Sequence, residues 1–151
     1  MHANGAFLHL ILNHLPVLLP IVGIVFVVAG TAGRWWQIVQ AGLGLEVAAA
    51  LAAIPVYLTG DGAREIVQNY PAVTAQAITA HQDAAYYALI MLEILGVLSL
   101  WILWKTRGEQ ALPRGRLVWF ALFALLAVSS VVRTAHLGGL IRHEEIDRGA
   151  F

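Results

Sequence analysis

The chain has 151 residues, 60% of them hydrophobic and only 12% charged, with nine basic and nine acidic side chains in balance. It is too apolar for a soluble domain, where nearer a quarter of residues are charged, and it offers neither a basic footprint for nucleic acid nor an acidic tail. With no cysteine, disulfides, iron–sulfur clusters, thiolate haem ligation and covalent haem attachment through CxxCH are excluded, so any metal must be held by imidazole or oxygen.

A helix needs roughly 20 apolar residues to cross a bilayer core, and stretches at about 6–30, 36–58, 84–104 and 117–140 supply them. Met1 to Phe7 holds no Lys or Arg, and the apolar run behind it outlasts a signal-peptide core, so the first span is expected to be retained. Pro16 and Pro20 remove backbone donors within that span, which predicts a kink beside His14. Thr31 to Arg34 reads as a tight turn. The Gly42-Leu-Gly-Leu-Glu46 string of span two lies within an apolar helix and reads as helix packing. The long connection from Thr59 to Asp83 opens on Thr59-Gly-Asp-Gly62, expected to break the helix, and residues 63–70 have the make-up of a short amphipathic helix. Pro71 suits the first turn of a helix running through His81 into span three. Lys105 to Arg116 is a polar loop. No repeat is present. The expected fold is all-α, a single domain over residues 1–151, an integral-membrane four-helix bundle with up-down-up-down topology.

Orientation follows the basic residues. Arg34, Lys105, Arg107, Arg114 and Arg116 share one face, against Arg64, Arg142 and Arg148 on the other, where six acids outnumber them. The positive-inside rule places the five-residue group in the cytoplasm and both termini in the periplasm of a bacterial inner membrane. All five tryptophans fall at the basic face and all four tyrosines towards the other.

That topology gathers all six histidines at the outer end. At ~1.5 Å per residue, His14 and His136 stand roughly 30 Å above the inner helix ends, and His9, His81 and His143 roughly 35–40 Å. His136 and His143 are two turns apart on one face, with Arg133 one turn further in. Gly138-Gly139 between them would let a flat cofactor or a neighbouring helix approach the backbone, or would break the helix. Two imidazoles from facing helices suit the iron of haem b, and Arg133 or Arg142 suits its propionates. The best ligand set is His14, His81 and His143, with His136 as replacement; the imidazoles suffice for one haem or two. His2 and His9 read as interfacial polar residues near a terminus.

The strings Asn13-His14-Leu15-Pro16, Thr59-Gly60-Asp61-Gly62-Ala63, Ala80-His81 and Leu137 to Ile146, with its Gly-Gly and Arg-His pairs, resemble a family of uncharacterised bacterial four-span proteins grouped as a domain of unknown function. The likeness covers nearly the whole chain. It implies an inner-membrane location and singles out His14, His81 and His143, and it implies no reaction.

Glu46 and Glu93 lie at equal depth in neighbouring spans, about ten residues or roughly 15 Å from their inner ends. They read either as a protonated pair, or a neutral acid bonded to a hydroxyl or carbonyl, fixing helix register, or as a proton relay or part of a quinone pocket. Asp61, Glu65, Asp83, Glu144 and Glu145 read as solvated loop charges that could add oxygen ligands. The leading expectation is a b-type cytochrome or cytochrome subunit carrying electrons between the quinone pool, or a partner complex, and the periplasmic side. Beside it stand a non-haem copper or zinc protein and a structural subunit of a larger respiratory or photosynthetic complex. No hydrolase or nucleotide-binding motif is present, and an electron carrier is expected over a stand-alone enzyme.

Overall fold

The computed structural model describes residues 5–70, 73–107, 109 and 111–142. These form five helices, α1 (Gly5–Leu12), α2 (Leu15–Gly33), α3 (Trp36–Val67), α4 (Ala75–Lys105) and α5 (Arg114–Arg142). Four segments are long and apolar enough to cross a membrane: Phe7–Gly33, which includes the α1–α2 break, Trp36–Val67, Ala75–Lys105 and Arg114–Ile141. Leu18, Val25, Leu51, Val97, Leu125 and many other large apolar side chains point outward. In water such a surface would aggregate; in lipid it is the solvent-facing surface, and the helices satisfy their own backbone groups. The protein is a multi-pass membrane protein with an all-α four-helix bundle.

Consecutive helices pack side by side, α2 on α3, α3 on α4 and α4 on α5, while α2 touches α5 lightly and α1 lies along α3. The core between them is built from Val27, Leu43, Leu92, Leu95, Phe120 and neighbouring small residues. At the α2–α3 crossing a Cβ on Gly42 would stand 2.6 Å from the carbonyl oxygen of Gly23. The two backbones therefore meet directly, as expected from the packing reading of that string.

The first span breaks where the prolines predict. Pro16 sits in the first turn of α2, and Asn13 and His14 separate α2 from α1. At the other end α2 runs through Thr31 and Gly33, so the expected turn shrinks to Arg34 and Trp35. Arg34 adopts the left-handed conformation (φ 58°), and the Trp35 N–H donates to Gly30 O at 2.8 Å, closing the helix.

Span two departs from expectation. Thr59-Gly-Asp-Gly62 does not break the helix, and residues 63–67 continue α3 instead of forming a separate amphipathic helix. The Thr59 hydroxyl donates back to the carbonyls of Pro55 and Val56 at 2.9 and 3.0 Å. α1 packs on the small residues that follow, and tertiary contact outweighs the roughly 1 kcal/mol that each glycine costs a helix. The extended third span is as expected, but it starts at Ala75, where the Thr74 hydroxyl caps the Ala77 N–H at 3.1 Å; Pro71 lies outside the described residues. Gly138 and Gly139 stay helical within α5.

The two faces of the bundle differ as the composition implies. At the inner end Lys105 lies over the Trp104 ring at 4.6 Å and Arg116 over Trp101 at 5.7 Å, and Arg116 pairs with Glu109 at 3.2 Å. Towards the outer end Tyr57, Tyr86 and Tyr87 form an aromatic run with centroids 6.4 and 6.0 Å apart.

Candidate functional site

The outer end of the bundle is held together by two histidines that bridge helices. On α1, His9 Nδ1 donates to the carbonyl oxygen of Val56 on α3 at 2.9 Å, with the Thr59 hydroxyl 3.4 Å away. On α4, His81 Nδ1 donates to the carbonyl oxygen of Thr134 on α5 at 3.0 Å. A carbonyl can only accept, so both neutral rings carry their proton on Nδ1 and leave Nε2 with a free lone pair. Both rings are half-buried.

Sequence explains how His81 reaches α5. A Cβ on Gly138 would lie 3.0 Å from His81 Cε1 and 3.2 Å from Nδ1, whereas one on Gly139 would meet nothing within 4 Å. The bare backbone at Gly138 is the floor on which the imidazole lies. The glycine pair does admit a flat group, and that group is a side chain of the neighbouring helix.

The remaining predicted residues are placed differently. His14 is exposed at the α1–α2 break, and His136 and Arg133 are exposed on α5. Arg133 lines a groove of about 330 Å³ between α4 and α5 with Ala84, Tyr87, Met91, Leu126 and Ser130. His143, Glu144 and Glu145 lie outside the described residues, as does the side chain of Arg142. Among the described residues no group of three or more His, Asp or Glu side chains is arranged to hold a metal ion, Asp61, Glu65 and Asp83 included. His9, read from sequence as interfacial, is instead a bridge between helices. Its equal height with His81, and the small residues Thr59 and Gly60 opposite it, were the signals for that role.

Glu46 is 1% exposed, and its carboxyl lies over Gly23 of α2, where a Cβ would stand 2.5 Å from Oε1. Neither Glu46 oxygen has a hydrogen-bond partner among the described residues, so Glu46 and Glu93 do not form the hydrogen-bonded pair their depth allowed.

No family model matches the chain, and neither a curated protein nor a solved structure matches it.

Proposed function

We propose that the protein is a b-type cytochrome, or a cytochrome subunit, of a bacterial inner membrane, with the outer end of the bundle in the periplasm. The observation that carries this reading is the pair His9 and His81, each fixed by an Nδ1–H···O=C bond so that Nε2 is the free nitrogen. Metal-ligating histidines are ordinarily oriented by such a bond, which sets the tautomer and raises ligand basicity. Two imidazoles suffice for a haem iron, whose other four positions belong to the porphyrin. A bare copper or zinc ion asks for three or four protein ligands, more than the described residues gather. Two oriented imidazoles are the complement that a haem iron asks of the protein.

His9 and His81 would hold the iron, and the haem when bound would supply one-electron transfer. The chain's own part is to orient the two rings through Val56 and Thr134 and to shield them with the half-buried junction. His14 and His136, both exposed, stand outside this pair. Arg133, exposed at the outer boundary, suits an anionic group there. The kinship with bacterial four-span inner-membrane proteins belongs to the same proposal.

An optical spectrum of the purified protein tests it. A Soret band with a b-type α band after dithionite is expected, and lost in both His9→Ala and His81→Ala while His14→Ala keeps it. A colourless protein containing stoichiometric copper or zinc would overturn the haem reading.

A further inference from the structure

Five buried side-chain oxygens have no hydrogen-bond partner among the described residues: Thr31 Oγ1, Ser99 Oγ, both oxygens of Glu46, and Glu93 Oε1. All of them lie in the inner half of the bundle, far from the histidines. Counted from the inner ends of their helices at ~1.5 Å per residue, Thr31 stands about 3 Å in, Ser99 about 9 Å, Glu46 about 15 Å and Glu93 about 18 Å. They form a rising series on three neighbouring helices. Gly96 of α4 brings that helix close to α3 beside Glu46, since a Cβ there would meet Ala50 at 2.5 Å and the Glu46 backbone carbonyl at 3.6 Å. Glu93 and Ser99 lie one turn to either side of Gly96 and share its face.

Buried polar groups are satisfied by protein or by ordered water, and these have no partner among the described residues. Glu46 and Ser99 are 1% and 0% exposed. Each such group in a native interior calls for an explanation, and ordered water supplies one. We propose that they line a hydrated path that opens at the basic inner face and ends at Glu46, whose carboxyl exchanges its proton with that side of the membrane. Among the described residues no cation balances Glu46: α2 contains no ionisable residue, and α1 brings only His9 at the far end of α3. On α4 Glu93 alone lies near this depth, with His81, Asp83, Tyr86, Tyr87 and Lys105 well above or below it. An uncompensated carboxylate here would be costly, so the neutral acid is the resting form. Its O–H proton passes to water and is replaced from water, so no oxidant, reductant or metal is consumed. The path stands independently of the haem reading, because it uses none of the outer residues.

Infrared spectroscopy of the full chain in lipid nanodiscs tests this directly. The wild-type protein should show a carboxylic-acid C=O stretch that Glu46→Gln removes. On transfer to D₂O the band should shift within seconds to minutes. Ser99→Ala should slow that shift at least tenfold, while His81→Ala at the outer end leaves its rate unchanged. A wild-type band that stays unshifted for hours would identify Glu46 as a sealed structural acid and overturn the path. Absence of an acid band assignable to Glu46 would overturn it too, as would slowing by His81→Ala and not by Ser99→Ala.

Discussion

An imidazole lying on a glycine is sensitive to a single methyl group. Because a Cβ at Gly138 would stand 3.0–3.2 Å from two ring atoms of His81, Gly138→Ala should displace the ring by a few tenths of an ångström and loosen its bond to Thr134. Overpacking of this kind costs typically about 1–3 kcal/mol, so under the proposed haem reading haem retention should fall, by roughly tenfold where the cost is about 1.4 kcal/mol. Gly139→Ala, whose Cβ meets nothing within 4 Å, should keep full haem content. Reduced-minus-oxidised spectra of the two variants at matched protein check this, with circular dichroism to verify helix content. Equal loss in both would remove the His81–Gly138 contact from the site. The residue types at this end of the bundle were legible in the sequence, because imidazoles near a membrane boundary stand out against an apolar background. Their pairing was not. His9 resembles any polar residue near a terminus until its partner, the Val56 carbonyl, is seen, and a backbone acceptor leaves no trace in side-chain identity. His14 drew attention through its neighbour Pro16, yet the break that proline makes leaves His14 exposed.

The elements show the same division between what pattern encodes and what contact decides. Apolar length located the four spans, and Pro16 located the break in the first, since both act within one helix. Thr59-Gly-Asp-Gly62 carries the local signature of a stop, but α3 continues through it with α1 packed alongside. The string Gly42-Leu-Gly-Leu-Glu46 holds two glycines of opposite character two residues apart. At Gly42 an added Cβ would meet the Gly23 carbonyl at 2.6 Å and the Val27 backbone nitrogen at 2.9 Å, while Gly44 faces outward with nothing within 4 Å. Gly42→Ala should therefore destabilise the α2–α3 crossing by about 1–3 kcal/mol, because neither backbone can withdraw without moving its helix. Gly44→Ala should be neutral or stabilise by up to about 1 kcal/mol through helix propensity alone. Unfolding of the two variants in mixed detergent micelles measures the difference. Equal effects would mean that α2 and α3 do not cross where the close contact places them.

At the scale of the whole molecule, the two ends of the bundle carry different chemistry, and the orientation decides which compartment each serves. The inner end has Arg34, Lys105, Arg107, Arg114 and Arg116, with tryptophans beside them; the sequence assigns Arg64, Arg142 and Arg148, with six acids, to the opposite side of the spans. Basic loops resist translocation, so the five-to-three bias favours the Lys105–Arg116 loop remaining in the cytoplasm. The chain contains no cysteine, so an introduced thiol is the sole reporter of its position. Gln68, just beyond α3, and Ala111, in the loop between α4 and α5, are both exposed at opposite ends of the bundle. In intact spheroplasts a membrane-impermeant maleimide should label Gln68→Cys at least tenfold more than Ala111→Cys, and permeabilisation should bring the two level. Neither substitution touches the histidine junction or the buried acids, so labelling reads topology alone. The reverse pattern would turn the molecule over without altering its packing: His9 and His81 would then face the cytoplasm, and Glu46 would draw its proton from the periplasm.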